Sequence, residues 1–394
     1  MQFKRFMHKI RLRLIRFIMD LMPGSNYLVF AGEGSSAQLC RHIASTGVKR
    51  VLVVSDKALV ELGITGRATA ALTEAGVEVF VFDEVLPDPT YQIVAGGLAV
   101  LKANQCDAVL AVGGGSSIDA GKIIAACASN EGDPKEWAGF GKFSEPALPI
   151  YAIATTSGTG SEATMGAVIS DSETHEKGII SAISLLPAAA SLDPTLMTGL
   201  PKPITAATGM DALTHGIEAY IGQWHGRGTS ATFGLSAVVG IFANLRAAYE
   251  DGGNVNARAA MALAAYQAGV AINQVNVGNV HAIAHQLGGK YGIPHGLANA
   301  MVLPHVLEFC KAHCADRLSE LAAAVGAGRS ADDFIAAVRA LSADVGIPVR
   351  VEQLQAADIS YLVALAVAEG AGYPSPLLMG TDDCVAILNT LLPD

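Results

Sequence analysis

The chain has 394 residues, 51% of them apolar but only 6% aromatic and 16% charged, with a formal net charge of −10. That apolar content excludes a disordered chain, no apolar run reaches the ~20 residues that a membrane span needs, and the negative charge opposes nucleic acid. Six cysteines, at 40, 106, 127, 310, 314 and 384, form no CxxC pair and read as reduced thiols in a reducing, cytoplasmic compartment.

Residues 1–23 differ from the rest. Six basic residues (Lys4, Arg5, Lys9, Arg11, Arg13, Arg16) face one acid, Asp20, and apolar residues from Phe3 to Leu21 recur at helical spacing until Pro23-Gly24. This predicts a basic amphipathic helix. It is read as docking on its own protein or a sister subunit, as lying on an anionic membrane surface, or as a cleaved targeting segment.

Residues 24–195 alternate β-rich runs (27–31, 51–55, 78–82, 108–112, 150–154) with helical stretches such as 66–75 and 91–104. That alternation predicts a parallel, doubly wound α/β domain. After Asp193-Pro194 strand signals stop. Ala/Leu-rich segments at 205–221, 229–249, 256–274, 277–288, 296–327, 330–345 and 358–369 predict an all-α domain over 196–394. Two domains imply a cleft, a common place for ligands.

Two loops in the first half suit phosphate. The strand at 108–112 runs into Gly113-Gly114-Gly115-Ser116-Ser117-Ile118-Asp119 and then a helix, so close backbone approach and a helix N-terminus coincide. This is neither the Rossmann GxGxxG nor the P-loop pattern. The strand at 150–154 runs into Thr155-Thr156-Ser157-Gly158-Thr159-Gly160-Ser161-Glu162, a dense set of small donors. Asp56 ends the second strand, where an acid either binds a ribose diol and repels a 2′-phosphate, or caps the next helix.

The second half holds a metal pattern. Asp211 and His215 stand at i and i+4 on one helix, His281 and His285 repeat that spacing, and His295 follows in Pro294-His295-Gly296. A carboxylate with two or three imidazoles and no thiolate suits Fe2+ or Zn2+. Spacing leaves open which of His281, His285 and His295 bind. Cys310 and Cys314 form an incidental CxxxC, and His225 and His305 read as loop or packing residues.

Four motifs carry a resemblance over about residues 27–394: GGGSSID at 113–119, TTSGTGSE at 155–162, ATGMDALTHGIEAY at 207–220 and VHAIAHQLGGKYGIPHGLANA at 280–300. In this order they resemble the iron-containing (group III) alcohol dehydrogenases. The resemblance implies a dehydroquinate synthase-like architecture with a dinucleotide-binding α/β domain, and NAD-dependent, metal-dependent hydride transfer between a small alcohol and NAD through a metal-bound alkoxide. It implies metal ligands Asp211, His215, His281 and His295, with His285 beside substrate and nicotinamide as a catalytic proton relay. It implies cofactor contacts at Asp56, Asp88, Gly114, Gly115, Ser116, Asp119, Thr155, Thr156, Thr159, Val168 and Lys177. It implies Fe2+ as the metal, with Zn2+ as the alternative, and as partners an alcohol or aldehyde and further copies of the chain in a homodimer or larger homo-oligomer.

Gly216 replaces the family's common Ala. Asn273, Asn276 and Asn279 put polar groups ahead of His281, where they are expected to reshape the substrate pocket. The alternatives are a zinc polyol or hydroxy-acid dehydrogenase, and a non-catalytic body that binds a membrane or partner through residues 1–22.

Overall fold

The computed structural model describes Ile10 and residues 28–173, 176–223 and 228–393. Apart from Ile10, the helix expected over 1–23 lies outside the described residues, as does His225. The chain divides into two compact units. One comprises Asn26–Leu200 with Gly252–Tyr266, the other Pro201–Asp251 and Gln267–Asp394.

The first unit is built on a six-stranded parallel sheet. Its strands are β1 (Leu28–Ala31), β2 (Arg50–Val54), β3 (Glu78–Phe82), β4 (Ala108–Gly113), β6 (Ile150–Ala154) and β9 (Ala189–Leu192), in the spatial order β1-β9-β6-β4-β2-β3. A second sheet joins β5 (Gly139–Phe140), β8 (Lys177–Ser181) and β7 (Gly166–Ser170) in that order, with β7 and β8 antiparallel. Five strands of the large sheet coincide with the runs expected from sequence, and β9 does not. Its four residues, Ala-Ala-Ser-Leu, lack a β-branched run, and pairing with both β1 and β6 makes it a strand. The small sheet was not expected either, because its short strands carry no sustained alternation.

Both faces of the large sheet are covered, which explains the continuous apolar runs in its strands. Leu52, Val54 and Val109 pack with Ile123 and Ile124, whereas Val51, Val53, Leu110 and Val112 pack with Leu39, Ile43 and Leu72. The covering helices are α1 (Ser35–Ser45), α3 (Ile64–Glu74), α4 (Tyr91–Ala103) and α5 (Gly115–Ser129), with the short α2 (Lys57–Glu61) directly after β2. From β2 the chain steps outward to β3, then returns to the other side of β2 with β4. Open α/β sheets bind ligands beyond the carboxyl ends of their strands at such a reversal. Asp56 follows β2 there, and Gly114 follows β4.

The second half is helical. Its elements are α6 (Lys202–Ile221), α7 (Thr229–Glu250), α8 (Val255–Val275), α9 (Asn279–Tyr291), α10 (His295–Ala324), α11 (Ala331–Asp344), α12 (Ile359–Gly370) and α13 (Thr381–Leu391). In the helical unit α6 packs on α7 and α10, and α9 on α10 and α12. Against the expectation from sequence, α7 is long and apolar enough to cross a membrane by length and composition. Its small residues serve close packing on α6: a Cβ at Gly216 would lie 3.1 Å from Gly234 O, and one at Gly234 3.0 Å from Gly216 O. Gly216 therefore lets the helix that carries His215 seat against its neighbour.

Candidate active site

Three helices of the helical unit bring four metal-type donors together. α6 presents Asp211 and His215 one turn apart, α9 presents His281, and α10 begins at His295. One donor atom from each lies within 4.8 Å of every other. From Asp211 Oδ1 the Nε2 atoms of His215, His281 and His295 stand at 3.9, 3.9 and 3.5 Å. Gly296 makes this approach feasible, since a Cβ there would fall 2.3 Å from Ala207 O and 3.1 Å from Asp211 Cβ. Asp211, His215 and His281 are buried, while the His295 side chain is 28% exposed and marks the open side.

The electrostatics fit a cation. Burial and the neighbouring histidines, chiefly His215, hold His281 well below its ordinary value, so its imidazole is neutral and able to ligate. Asn299 lies within the cluster: its Nδ2 donates to Asp211 Oδ1 at 2.7 Å and sits 3.1 Å from the Nε2 atoms of both His281 and His295. A carboxylate and three imidazoles pointing inward form an acceptor-rich pocket without thiolates, the donor chemistry of Fe2+ or Zn2+.

Glu218, one turn beyond His215, orients this set. It accepts the backbone N–H groups of Gly278 and Val280, each at 2.8 Å, and its Oε2 lies 2.6 Å from His281 Nδ1. Burial pushes the Glu218 carboxyl up to about 8, opposed by these hydrogen bonds. A partner on Nδ1 turns Nε2 toward the cluster, the usual support for a ligating histidine. Gly278 is required beside it, because a Cβ would lie 2.6 Å from Glu218 Oε1.

His285 stands one turn beyond His281 and outside the four-donor set. Its ring stacks on that of His295 with centroids 5.2 Å apart, and its Nδ1 lies 2.6 Å from Glu369 Oε1. The structure thus separates His285 from the alternatives that spacing left open. Asn276 and Asn279 have structural work. Asn276 adopts a left-handed turn (φ 80°) with Oδ1 accepting Val277 N–H, and buried Asn279 donates to Leu377 O at 3.0 Å. Cys310 and Cys314 lie outside the cluster, buried, unbridged and 3.7 Å apart at Sγ, where α10 departs from helical geometry at Cys314. His305 meets Thr390 Oγ1 at 3.0 Å and joins no donor cluster among the described residues.

In the α/β unit the two glycine- and hydroxyl-rich loops pack on one another. A Cβ at Gly114 would lie 3.1 Å from Thr156 Oγ1, and one at Gly115 2.6 Å from Thr159 Cγ2. Thr155 N–H donates to Gly113 O at 3.0 Å. Gly114, Gly115, Ser116, Thr156 and Thr159 are half-buried, at the open N-terminus of α5. Behind them Asp119 accepts Ser161 Oγ–H at 2.5 Å and Val168 N–H at 2.9 Å, so its carboxylate ties the loops together.

Lys122, fully buried, completes that tie and was not singled out from sequence. Its Nζ donates to Ser161 Oγ, Thr164 Oγ1 and Gly166 O at 2.8, 3.2 and 2.7 Å. Burial lowers it to about 8 and raises nearby Glu162 to about 7. Asp56 caps α2, its Oδ1 accepting Leu59 N–H at 2.9 Å, which is the capping alternative stated above. Asp88, also left-handed (φ 52°), accepts from Lys177 Nζ at 2.6 Å.

A doubly wound sheet with paired phosphate-type loops, followed by helices that gather one aspartate and three histidines, defines a metal-dependent dehydrogenase architecture. Residues 27–194 match the model of the iron-containing alcohol dehydrogenases, and residues 205–392 the C-terminal model of the same family. The chain is 39% identical to the 1,3-propanediol dehydrogenase of Klebsiella pneumoniae, covering 93% of this chain and 97% of that one. It is 35% identical to the NAD-dependent methanol dehydrogenase of Bacillus methanolicus, covering 92% and 97%. The crystal structure of a 1,3-propanediol oxidoreductase superposes with a TM-score of 0.89 at 38% identity, over 93% of this chain and 98% of that one.

The chain belongs to the iron-containing alcohol dehydrogenase family. It is an NAD-dependent, metal-dependent oxidoreductase acting on alcohol CH–OH groups, in a family that uses Fe2+ with NAD.

Proposed function

We propose that this enzyme interconverts a small primary alcohol or diol and its aldehyde, with Asp211, His215, His281 and His295 holding a divalent metal. The observation that carries this reading is the convergence of those four donors within 4.8 Å. The similarity to enzymes that carry propanediol and methanol in their names supports the substrate class.

A bound divalent metal supplies Lewis-acid stabilisation of negative charge developing on the substrate oxygen. His281 is kept neutral by burial and the neighbouring histidines and is aimed by Glu218, so the site presents lone pairs rather than protons. His295 leaves one side open to substrate. His285 takes the hydroxyl proton in oxidation and returns it in reduction, the general acid–base role suited to imidazole. The N–H groups at the start of α5, with Ser116, Thr156 and Thr159, bind the NAD pyrophosphate. Asp56 keeps one carboxylate oxygen engaged in the helix cap and offers the other to the adenine ribose, which favours NAD over NADP. Asp88, Val168 and Lys177 line the same cofactor site, where Asp119 and Thr155 act through loop geometry. Six buried, unbridged cysteines accord with a reducing cytoplasm.

The test pairs metal analysis of anaerobically purified protein with NAD reduction on primary alcohols, diols, glycerol and 2- or 4-hydroxy acids. Near-stoichiometric iron or zinc, with turnover greatest on a primary alcohol or diol, is expected. Full activity without metal, unchanged in Asp211→Ala, overturns the metal assignment. Turnover confined to hydroxy acids overturns the substrate class.

A further inference from the structure

His285 is held by a group that the four-donor cluster does not use. Glu369, near the C-terminal end of α12, places Oε1 2.6 Å from His285 Nδ1. The same carboxylate accepts Gln286 Nε2–H on Oε2 and the Tyr373 hydroxyl on Oε1, both at 2.6 Å. Both oxygens are therefore occupied, and the carboxylate is fixed relative to α9 by two consecutive residues of that helix.

The arrangement parallels the one at His281. Each histidine of the i, i+4 pair turns Nδ1 to a glutamate at 2.6 Å, Glu218 for one and Glu369 for the other. At His281 this aims Nε2 into the donor cluster. At His285 the ring is held just as firmly, yet its Nε2 belongs to no donor set among the described residues. A carboxylate on Nδ1 selects the tautomer with Nε2 unprotonated and stabilises the ring once Nε2 takes a proton.

We propose that Glu369 is a positioning residue for proton transfer: it accepts the Nδ1–H of His285, keeps Nε2 free to take the substrate hydroxyl proton, and is itself locked by Tyr373 and Gln286. The inference rests on the role given to His285 above. The proton leaves the hydroxyl oxygen for Nε2, the Nδ1–H···carboxylate bond persists, and the hydride leaves for NAD. In the reverse direction Nε2 returns the proton to the oxygen of the reduced carbonyl. Tyr373 is suited to remain a donor, since burial and then the Glu369 charge raise its hydroxyl above the ordinary range.

The experiment is a double-mutant cycle on the full-length, metal-loaded enzyme, with metal content measured for every variant. Glu369→Gln preserves shape and removes the charge. It is expected to lower kcat by about 10- to 100-fold, the scale for outer supports of functional histidines, with KM for NAD and metal occupancy within about twofold. Glu369→Asp is expected to recover part of the loss. Tyr373→Phe, the variant least disturbing to folding, is expected to cost about two- to tenfold in kcat. In a His285→Ala background Glu369→Gln should add almost nothing, because residues acting as a unit are not additive.

An equal, multiplicative loss in that background, alongside a large His285→Ala effect, overturns the positioning role and leaves the His285 reading intact. A loss confined to KM or metal occupancy also overturns it. Unchanged kcat in metal-loaded His285→Ala removes the proton-acceptor reading and this inference with it.

Discussion

The helical unit and the α/β unit each assemble a polar site, but they hold it together in opposite ways. In the helical unit the functional atoms are side-chain donors on rigid helices, drawn inward and supported by Glu218, Glu369 and Asn299. In the α/β unit the atoms proposed to bind the cofactor are mainly backbone N–H groups at the half-buried start of α5, and the charges stand behind them. Asp119 and Lys122 touch both loops and hold their shape. A cation needs convergent lone pairs, which side chains supply. A pyrophosphate needs convergent donors, which a glycine turn and helix end supply.

The sharpest way to break this comparison is to remove a donor from the cluster. Asp211→Ala should empty the site of metal and lower kcat/KM by roughly a thousandfold or more, since a metal is worth several kcal/mol of charge stabilisation. Metal analysis beside initial rates tests it, and NAD affinity measured by fluorescence should be unchanged. Glu218→Ala should act one step further out, weakening metal affinity by about 10- to 100-fold in a chelator competition. Equal metal affinity in that variant would show that His281 needs no carboxylate on Nδ1.

In the other unit, Asp56→Ser separates capping from cofactor choice. Serine also caps helices well, so the thermal midpoint should hold while the NADP-to-NAD ratio of kcat/KM rises by about tenfold, as relief of like-charge repulsion allows. A ratio that stays put would leave Asp56 only its cap. Gly296→Ala probes packing rather than chemistry. The clash with Ala207 O should destabilise the helical unit by about 1–3 kcal/mol, seen in denaturant unfolding, with metal affinity falling alongside.

The smallest effect is a pH slope from Lys122. Its folded value of about 8 lies below its ordinary 10.5. Between those values the unfolded chain binds the extra proton, so stability rises with pH across about 8 to 10.5 and the penalty for burying the charge is fully present below 8. Glu162, raised from 4.5 to about 7, acts in the opposite sense: the folded chain binds the extra proton, and stability falls as pH rises across that window. Thermal midpoints from about pH 8 to 10 should climb more in the parent than in Lys122→Met, and parallel curves would remove Lys122 as the source.

The two sites also differed in how much could be read from residue order. A metal pattern of Asp211 and His215 with His281, His285 and His295 was legible because few residue types bind such a metal and helical spacing puts pairs on one face, while the choice of Asp211, His215, His281 and His295 came from the family resemblance. Glu218 sat in the same motif, one turn past His215, but a lone acid on an apolar helix carries no sign of its partner. Glu369 was invisible for a stronger reason, since its partner His285 lies 84 positions away, and Tyr373 enters only through its bond to Glu369. Lys122 was passed over because a lysine on a helix is normally solvated.

What the sequence determined by itself was the kind of chemistry and the order of the parts: parallel strands before helices, glycine loops at strand ends, and carboxylate and imidazoles at one-turn spacing. These are local, set by turn sterics and the 3.6-residue period. Tertiary structure alone decided that β9 enters the sheet between β1 and β6, that His285 stands apart from the donor cluster, that Glu218 and Lys122 are paired in the interior, and that half-buried Glu369 meets His285. Each of these depends on contacts between segments far apart in the chain. A buried charge finds its complement only where the fold brings one, because water is no longer there to supply it.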